Sequence, residues 1–118
     1  MRVHVGQLTG LELHTGIFRE HQGAMSVDWE RYSTPSETRN RHPDPNSVGV
    51  ITLGAGAVRS IDGMEVRHEP VQSNRAHSGI HGLLRSDMGP PQVRKTMVRT
   101  KLFKLVKGWE LKPKNLLA

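Results

Sequence analysis

The stretch Asn74-Arg75-Ala76-His77-Ser78-Gly79-Ile80-His81-Gly82 gathers two histidines, an arginine, an amide and a hydroxyl into nine residues. Imidazoles titrate near neutrality and so take or give protons at physiological pH, while a guanidinium holds a phosphate through parallel donors. These groups meet the minimum for metal-independent RNA cleavage: a base for the ribose 2′-hydroxyl, an acid for the leaving oxygen and a cation for the phosphorane charge. On this reading His77 and His81 are the base and acid, and Arg75, Arg41 or Arg19 holds the phosphate. Two other chemistries fit less well. A metal site needs His77 and His81 one helical turn apart with His68 or Glu65 as a further ligand, but Gly79 and Gly82 disfavour a helix, and no metal is expected. A serine nucleophile at Ser78 or Ser26 beside His77 lacks the glycine pattern of a nucleophile elbow. The competing reading is structural, with the His77 imidazole satisfying neighbouring backbone groups.

Elements must position these residues. At the N-terminus, Val3/Val5 and Leu11/Leu13 alternate with polar residues and predict one or two short strands, interrupted by Gly6, Gly10 and Gly16; His4 and His14 fall on the polar phase. Met25, Val27 and Trp29 alternate as a second strand. Ser33 or Thr34 then caps a short helix that opens on Pro35 with Glu37 in its first turn, and Pro43 and Pro45 end it. The β-branched run Val48 to Arg59 reads as a central strand, with Asp62-Gly63 as a hairpin turn that returns Met64 to His68 antiparallel. Gly54 and Gly56 lack the third glycine of a dinucleotide fingerprint, so they read as a bulge and no cofactor is expected.

Pro90-Pro91 opens a second helix on which Val93, Met97, Val98, Leu102, Leu105 and Val106 share a face. Trp109 to Leu111 returns as a last short strand, and residues 112–118 read as a loose tail. The prediction is α+β: a mainly antiparallel twisted sheet of about five or six strands with two helices, in one domain over residues 1–111. Its core should include Val27, Trp29, Val50, Ile51, Leu53, Val66, Ile80, Met97, Leu102 and Trp109.

The chain has 118 residues, a formal charge of +6 and no cysteine. That length supports a single core, and the absence of cysteine excludes disulfides and thiolate zinc sites, in keeping with a reducing cytoplasm. No apolar run reaches the roughly 20 residues that span a bilayer, so no membrane is expected. The positive charge points to RNA or DNA as partner. Arg94, Lys95, Arg99, Lys101 and Lys104 make the second helix the most basic element and, with Arg19 and Arg41, form the expected nucleic-acid-binding set.

The segments Phe18-Arg19, Met25-Ser-Val-Asp-Trp-Glu30, Tyr32-Ser-Thr-Pro-Ser-Glu37 and Asn74-Arg-Ala-His-Ser78 resemble a group of small uncharacterised prokaryotic proteins, over roughly residues 18–111. The resemblance implies no activity. It adds weight to His77.

Three functional classes therefore fit. The first is a small basic nucleic-acid-associated protein, a metal-independent ribonuclease or toxin-like enzyme using His77 and His81. The second is a non-catalytic interaction or regulatory subunit, with a protein partner or as a homodimer. The third resembles an ADP-ribosyltransferase-like nucleotide-binding domain, with Arg19 on the pyrophosphate, Ser26 shaping the cleft and Glu65, Glu69 or Glu110 available as the acid. Enzyme and module differ in one observable: whether histidines and arginines converge in a concave pocket or spread over a face.

Overall fold

A computed structural model describes residues 1–4, 12–85 and 87–116. The expected N-terminal alternation beyond His4 lies largely outside these residues. Among the described residues, five short strands and three α-helices form the frame: β1 Arg2–His4, β2 Ala24–Asp28, α1 Pro35–Asn40, β3 Val48–Val50, α2 Ala55–Arg59, β4 Glu65–His68, β5 His77–His81 and α3 Pro91–Leu105. The α+β class holds, but the strands divide into two antiparallel sheets, β1-β3 and β2-β5-β4.

Local chemistry explains most of these elements. Thr34 caps α1 as part of a reciprocal capping box: its side chain accepts from the Glu37 N–H while Glu37 Oε1 accepts from the Thr34 N–H at 3.0 Å. The β-like run from Val48 splits. Val48, Gly49 and Val50 are buried and pair with β1, whereas Ala55 to Arg59 coil into α2 with Gly54 as its N-cap. The long central strand expected over Val48 to Arg59 is therefore corrected to a strand of three residues and a helical turn. Five residues rich in alanine and glycine supply too little β-branched surface to hold a ladder.

The Asp62-Gly63 turn is present, with Gly63 at φ +79°, but it joins α2 to β4 and closes no hairpin with β3. β4 pairs instead with β5, through a tight turn in which Val71 and Asn74 exchange backbone hydrogen bonds at 3.0 and 3.1 Å. The Trp109–Leu111 return is a single bridge, Val50 to Leu111. The following segment is docked: Lys112 O accepts from Arg39 Nη2 at 2.8 Å, Pro113 is buried, and Asn115 Nδ2 donates to Ser47 Oγ at 2.7 Å. A loose tail from residue 112 is thereby corrected through residue 116.

One core joins the two sheets and α3: Val3 from β1, Met25 and Ile80 from the three-stranded sheet, Ile51, Val58 and Met64 between them, and Val98 and Leu102 from α3. Of the expected core, Val50, Ile51, Ile80 and Leu102 are buried and Val27, Leu53, Val66 and Trp109 partly so, but Trp29 and Met97 are each 41% exposed. On α3 the buried stripe passes through Arg94, Val98 and Leu102, which rotates Met97 and Val93 outward. No helix among the described residues is long and apolar enough to cross a membrane.

Candidate functional site

The nine-residue stretch forms β5, the middle strand of its sheet, together with the turn that leads into it. Alternation along a strand sends successive side chains to opposite faces. Met25, Ile80 and Val66 therefore face the core, while Ala24, Ser26 and Asp28 of β2, His77, Gly79 and His81 of β5, and Glu65 and Arg67 of β4 share the other face. That face is polar. Ser78 points the opposite way, is buried and donates to Ala76 O at 3.1 Å, so it does not join His77. His68 pairs across from Ser78 and likewise leaves the polar face.

Glu69, just beyond β4, folds over this face and ties both histidines to itself. Its carbonyl oxygen lies 2.8 Å from His77 Nδ1, and its carboxylate Oε1 lies 2.8 Å from His81 Nε2. The carboxylate occupies the space left by the missing side chain of Gly79: a Cβ there would fall on Glu69 Oε1 and within 2.9 Å of His81 Nε2. The hydrogen bond from His81 lowers the Glu69 pKa, and the nearby Arg67 charge acts in the same direction.

At the far end of the same face, Asp28 is a hub. Asn74 Nδ2 donates to its Oδ1 at 2.8 Å and Arg41 Nη1 to its Oδ2 at 2.8 Å; Arg41 Nη1 also donates to Ser33 Oγ at 2.6 Å. Burial alone would raise the Asp28 pKa, but the bonds from Asn74 and Thr38 and the Arg41 charge outweigh it and lower it. Asn74 and Arg41 thus bind the β4–β5 turn and the end of α1 to β2. Between Asp28 and His77 lies a cavity of about 10 Å³, lined by Met1, Arg2, Ser26, Val27, Asp28, Thr38 and His77. That volume holds about one water.

The expected cations separate into anchors and surface charges. Arg94 is an anchor: at 2% exposure its Nε and Nη2 donate to Gly82 O at 3.0 and 2.8 Å, and Nη2 also to Asp62 O at 3.0 Å. Its place on a nucleic-acid face is corrected, because the α3 stripe turns it into the core, where carbonyls take Nε and Nη2 and the buried Nη1 has no hydrogen-bond partner among the described residues. Arg99 is half-buried and donates from Nε to Phe18 O at 2.7 Å; burial, then the neighbouring Arg19 charge, lowers its pKa. Arg19 is exposed and bonds Gly16 O at 3.0 Å. Lys101 and Lys104 are exposed along the outer face of α3, beside Val93 and Met97, where they line an open groove of about 510 Å³. Lys95 is half-exposed on the opposite flank of the helix.

A feature not anticipated from sequence lies past the end of β2. Trp29 begins a turn through Tyr32, closed by Tyr32 N–H donating to Trp29 O at 3.0 Å, and His68 packs on both rings, centroids 5.0 Å from Trp29 and 5.6 Å from Tyr32. Trp29 meets Tyr32 edge-on at 5.3 Å. Arg75 sits over the Tyr32 ring at 3.9 Å, and Arg31 lies 5.7 and 5.6 Å from the two ring centres. The sequence signal for it is the interleaving of aromatic and basic residues in Trp29-Glu30-Arg31-Tyr32.

Among the described residues, no group of three or more His, Asp or Glu side chains is arranged to hold a metal ion. Compared with protein families, curated proteins and solved structures, the chain shows no significant match.

Proposed function

We propose that this chain is a nucleic-acid-binding module that holds a phosphate backbone without cleaving it. The observation that carries the reading is the division of its charges. The carboxylates of Glu20, Asp28, Glu37, Asp44, Glu65, Glu69 and Asp87 each accept a hydrogen bond or ion pair from a neighbouring group of the chain. Arg31, Arg75, Lys101 and Lys104, by contrast, are exposed and enter no ion pair among the described residues. With a net charge of +6 cations are in excess, and these four are among those the fold leaves at the surface. Such cations attract a polyanion by releasing its condensed counterions.

Cleavage is less well supported by the same geometry. His77 and His81 are four residues apart on a strand, roughly 13 Å between Cα atoms at the usual rise. The Glu69 carboxylate stands between them, and one nitrogen of each ring is already engaged. A general acid and base must reach the same phosphate. The site reads as a clasp that fixes β5 to the segment after β4.

The test is incubation of the full chain with a labelled RNA, with EDTA present, followed by both gel retardation and recovery of the RNA. The reading expects retarded RNA recovered at full length, with retardation reduced in the Arg75→Ala/Lys101→Ala/Lys104→Ala variant. RNA shortened by the wild type and left intact by His77→Ala would overturn it in favour of the ribonuclease.

A further inference from the structure

We infer that the corner built by Trp29, Tyr32 and His68 is a stacking platform for an unpaired nucleobase, so that the nucleic acid this protein prefers is single-stranded. The inference rests on the nucleic-acid reading above and adds the class of substrate. Large aromatic residues are ordinarily largely buried, yet Trp29 is 41% exposed on a chain with only two tryptophans and one tyrosine. It is also immobilised. Tyr32 meets it edge-on at 86° between planes and His68 at 70°, while His68 Nε2 lies 2.8 Å from Arg75 O, which ties the turn after Asn74 to the platform. A ring fixed before binding loses little entropy when a base stacks on it.

The flanking charges suit the backbone that joins successive bases. Arg75 lies over Tyr32 at 3.9 Å, Arg31 stands within 6 Å of both ring centres, and with Glu30 as the acid of the turn the local charge remains positive. Aromatic rings paired with arginines are the recurring means of holding single strands without sequence preference, because every base offers a π-face and every linkage a phosphate. In a duplex the bases are already stacked on one another, so an exposed tryptophan gains nothing there. A cationic ligand for the aromatic corner would be repelled by Arg31 and Arg75.

The experiment measures binding of the full chain to a fluorescent 15-mer of deoxythymidine and to a 15-base-pair duplex at low salt, together with quenching of tryptophan fluorescence. The proteins are wild type, Trp29→Ala and Trp29→Phe, each checked for fold by circular dichroism. The inference expects tighter binding of the single strand, accompanied by quenching. Trp29→Ala should weaken single-strand binding by about 10-fold or more and abolish the quenching, while duplex binding is unchanged. Trp29→Phe, which keeps a ring, should retain most of the affinity. Equal, salt-sensitive binding of both forms by wild type and Trp29→Ala would overturn the platform and leave the nucleic-acid reading standing. Failure of wild type to bind either form would overturn both.

Discussion

The Arg94 guanidinium donates twice to a single carbonyl, that of Gly82, from Nε at 3.0 Å and Nη2 at 2.8 Å. Gly82 has φ +110°, and a Cβ on it would collide with the Gly63 carbonyl. The exit from β5, the Gly63 turn and α3 are therefore locked around one buried cation with no carboxylate partner among the described residues. Arg94→Ala should destabilise the fold by about 3 kcal/mol or more, since it opens a cavity and removes the guanidinium hydrogen bonds to the Gly82 and Asp62 carbonyls. Arg94→Lys should recover little, because an ammonium cannot reproduce the planar fork. Chemical denaturation measures both. An Arg94→Ala protein of wild-type stability would show that α3 docks without this anchor.

Gly79 sets the position of Glu69. In Gly79→Ala the new methyl group takes the place of the Glu69 carboxylate, the contact with His81 is lost, and the Glu69 pKa should return toward its ordinary 4.5. In the wild type that pKa is lowered, so the pair stabilises the fold above about pH 4.5 and ceases to do so as pH falls through the depressed folded value. Carboxyl titration by NMR should find Glu69 titrating below the ordinary value in wild type and close to it in Gly79→Ala. Identical titration in the two proteins would contradict the placement of the carboxylate over Gly79.

Asp28 should govern the acid limit of stability. Its folded pKa lies below the ordinary 3.8, so its contribution is present above that value and lost as pH falls through the lower folded pKa. Asp28→Asn should lower the melting temperature at neutral pH and flatten the loss of stability below pH 4. An unchanged melting temperature at neutral pH would mean that Arg41 and Asn74 gain nothing from the carboxylate.

His77 should behave as a structural residue. With Nδ1 2.8 Å from the Glu69 carbonyl, it helps fix the chain that leaves β4. His77→Ala should cost about 1 kcal/mol or more of stability, with RNA binding by the folded variant close to wild type. A variant of full stability that has lost binding would place His77 at the ligand.

Much of this arrangement was legible in the sequence. Thr34-Pro35-Ser36-Glu37 specified α1 through local capping, and Met25 and Val27 specified β2 through alternation. The pairing of β4 with β5 was not legible, because the Asp62-Gly63 turn carries the same local signal whether it closes a hairpin or joins a helix to a strand. The burial of Arg94 is not legible for a related reason: helical spacing identifies the stripe it occupies, but its charge favours solvent, and the carbonyls that accept from it are 12 and 32 residues away. His77 and His81 lie on one face of β5, but Glu69, which bonds to both, lies outside the nine-residue stretch, and nothing local in that stretch announces it. Trp29 is the reverse case. Its alternation with Met25 and Val27 is real, but the strand ends at Asp28 and leaves the ring beyond the core.

The most direct test of nucleic-acid binding is the salt dependence of affinity for a labelled single strand, measured by fluorescence anisotropy. If the exposed cations neutralise about four phosphates, affinity should fall on the order of 100-fold between 50 and 200 mM salt, and replacing Arg31 and Arg75 by alanine should reduce the slope of log K against log salt by roughly one to two units. Affinity that does not change with salt, or a slope unmoved by loss of both arginines, would contradict the account.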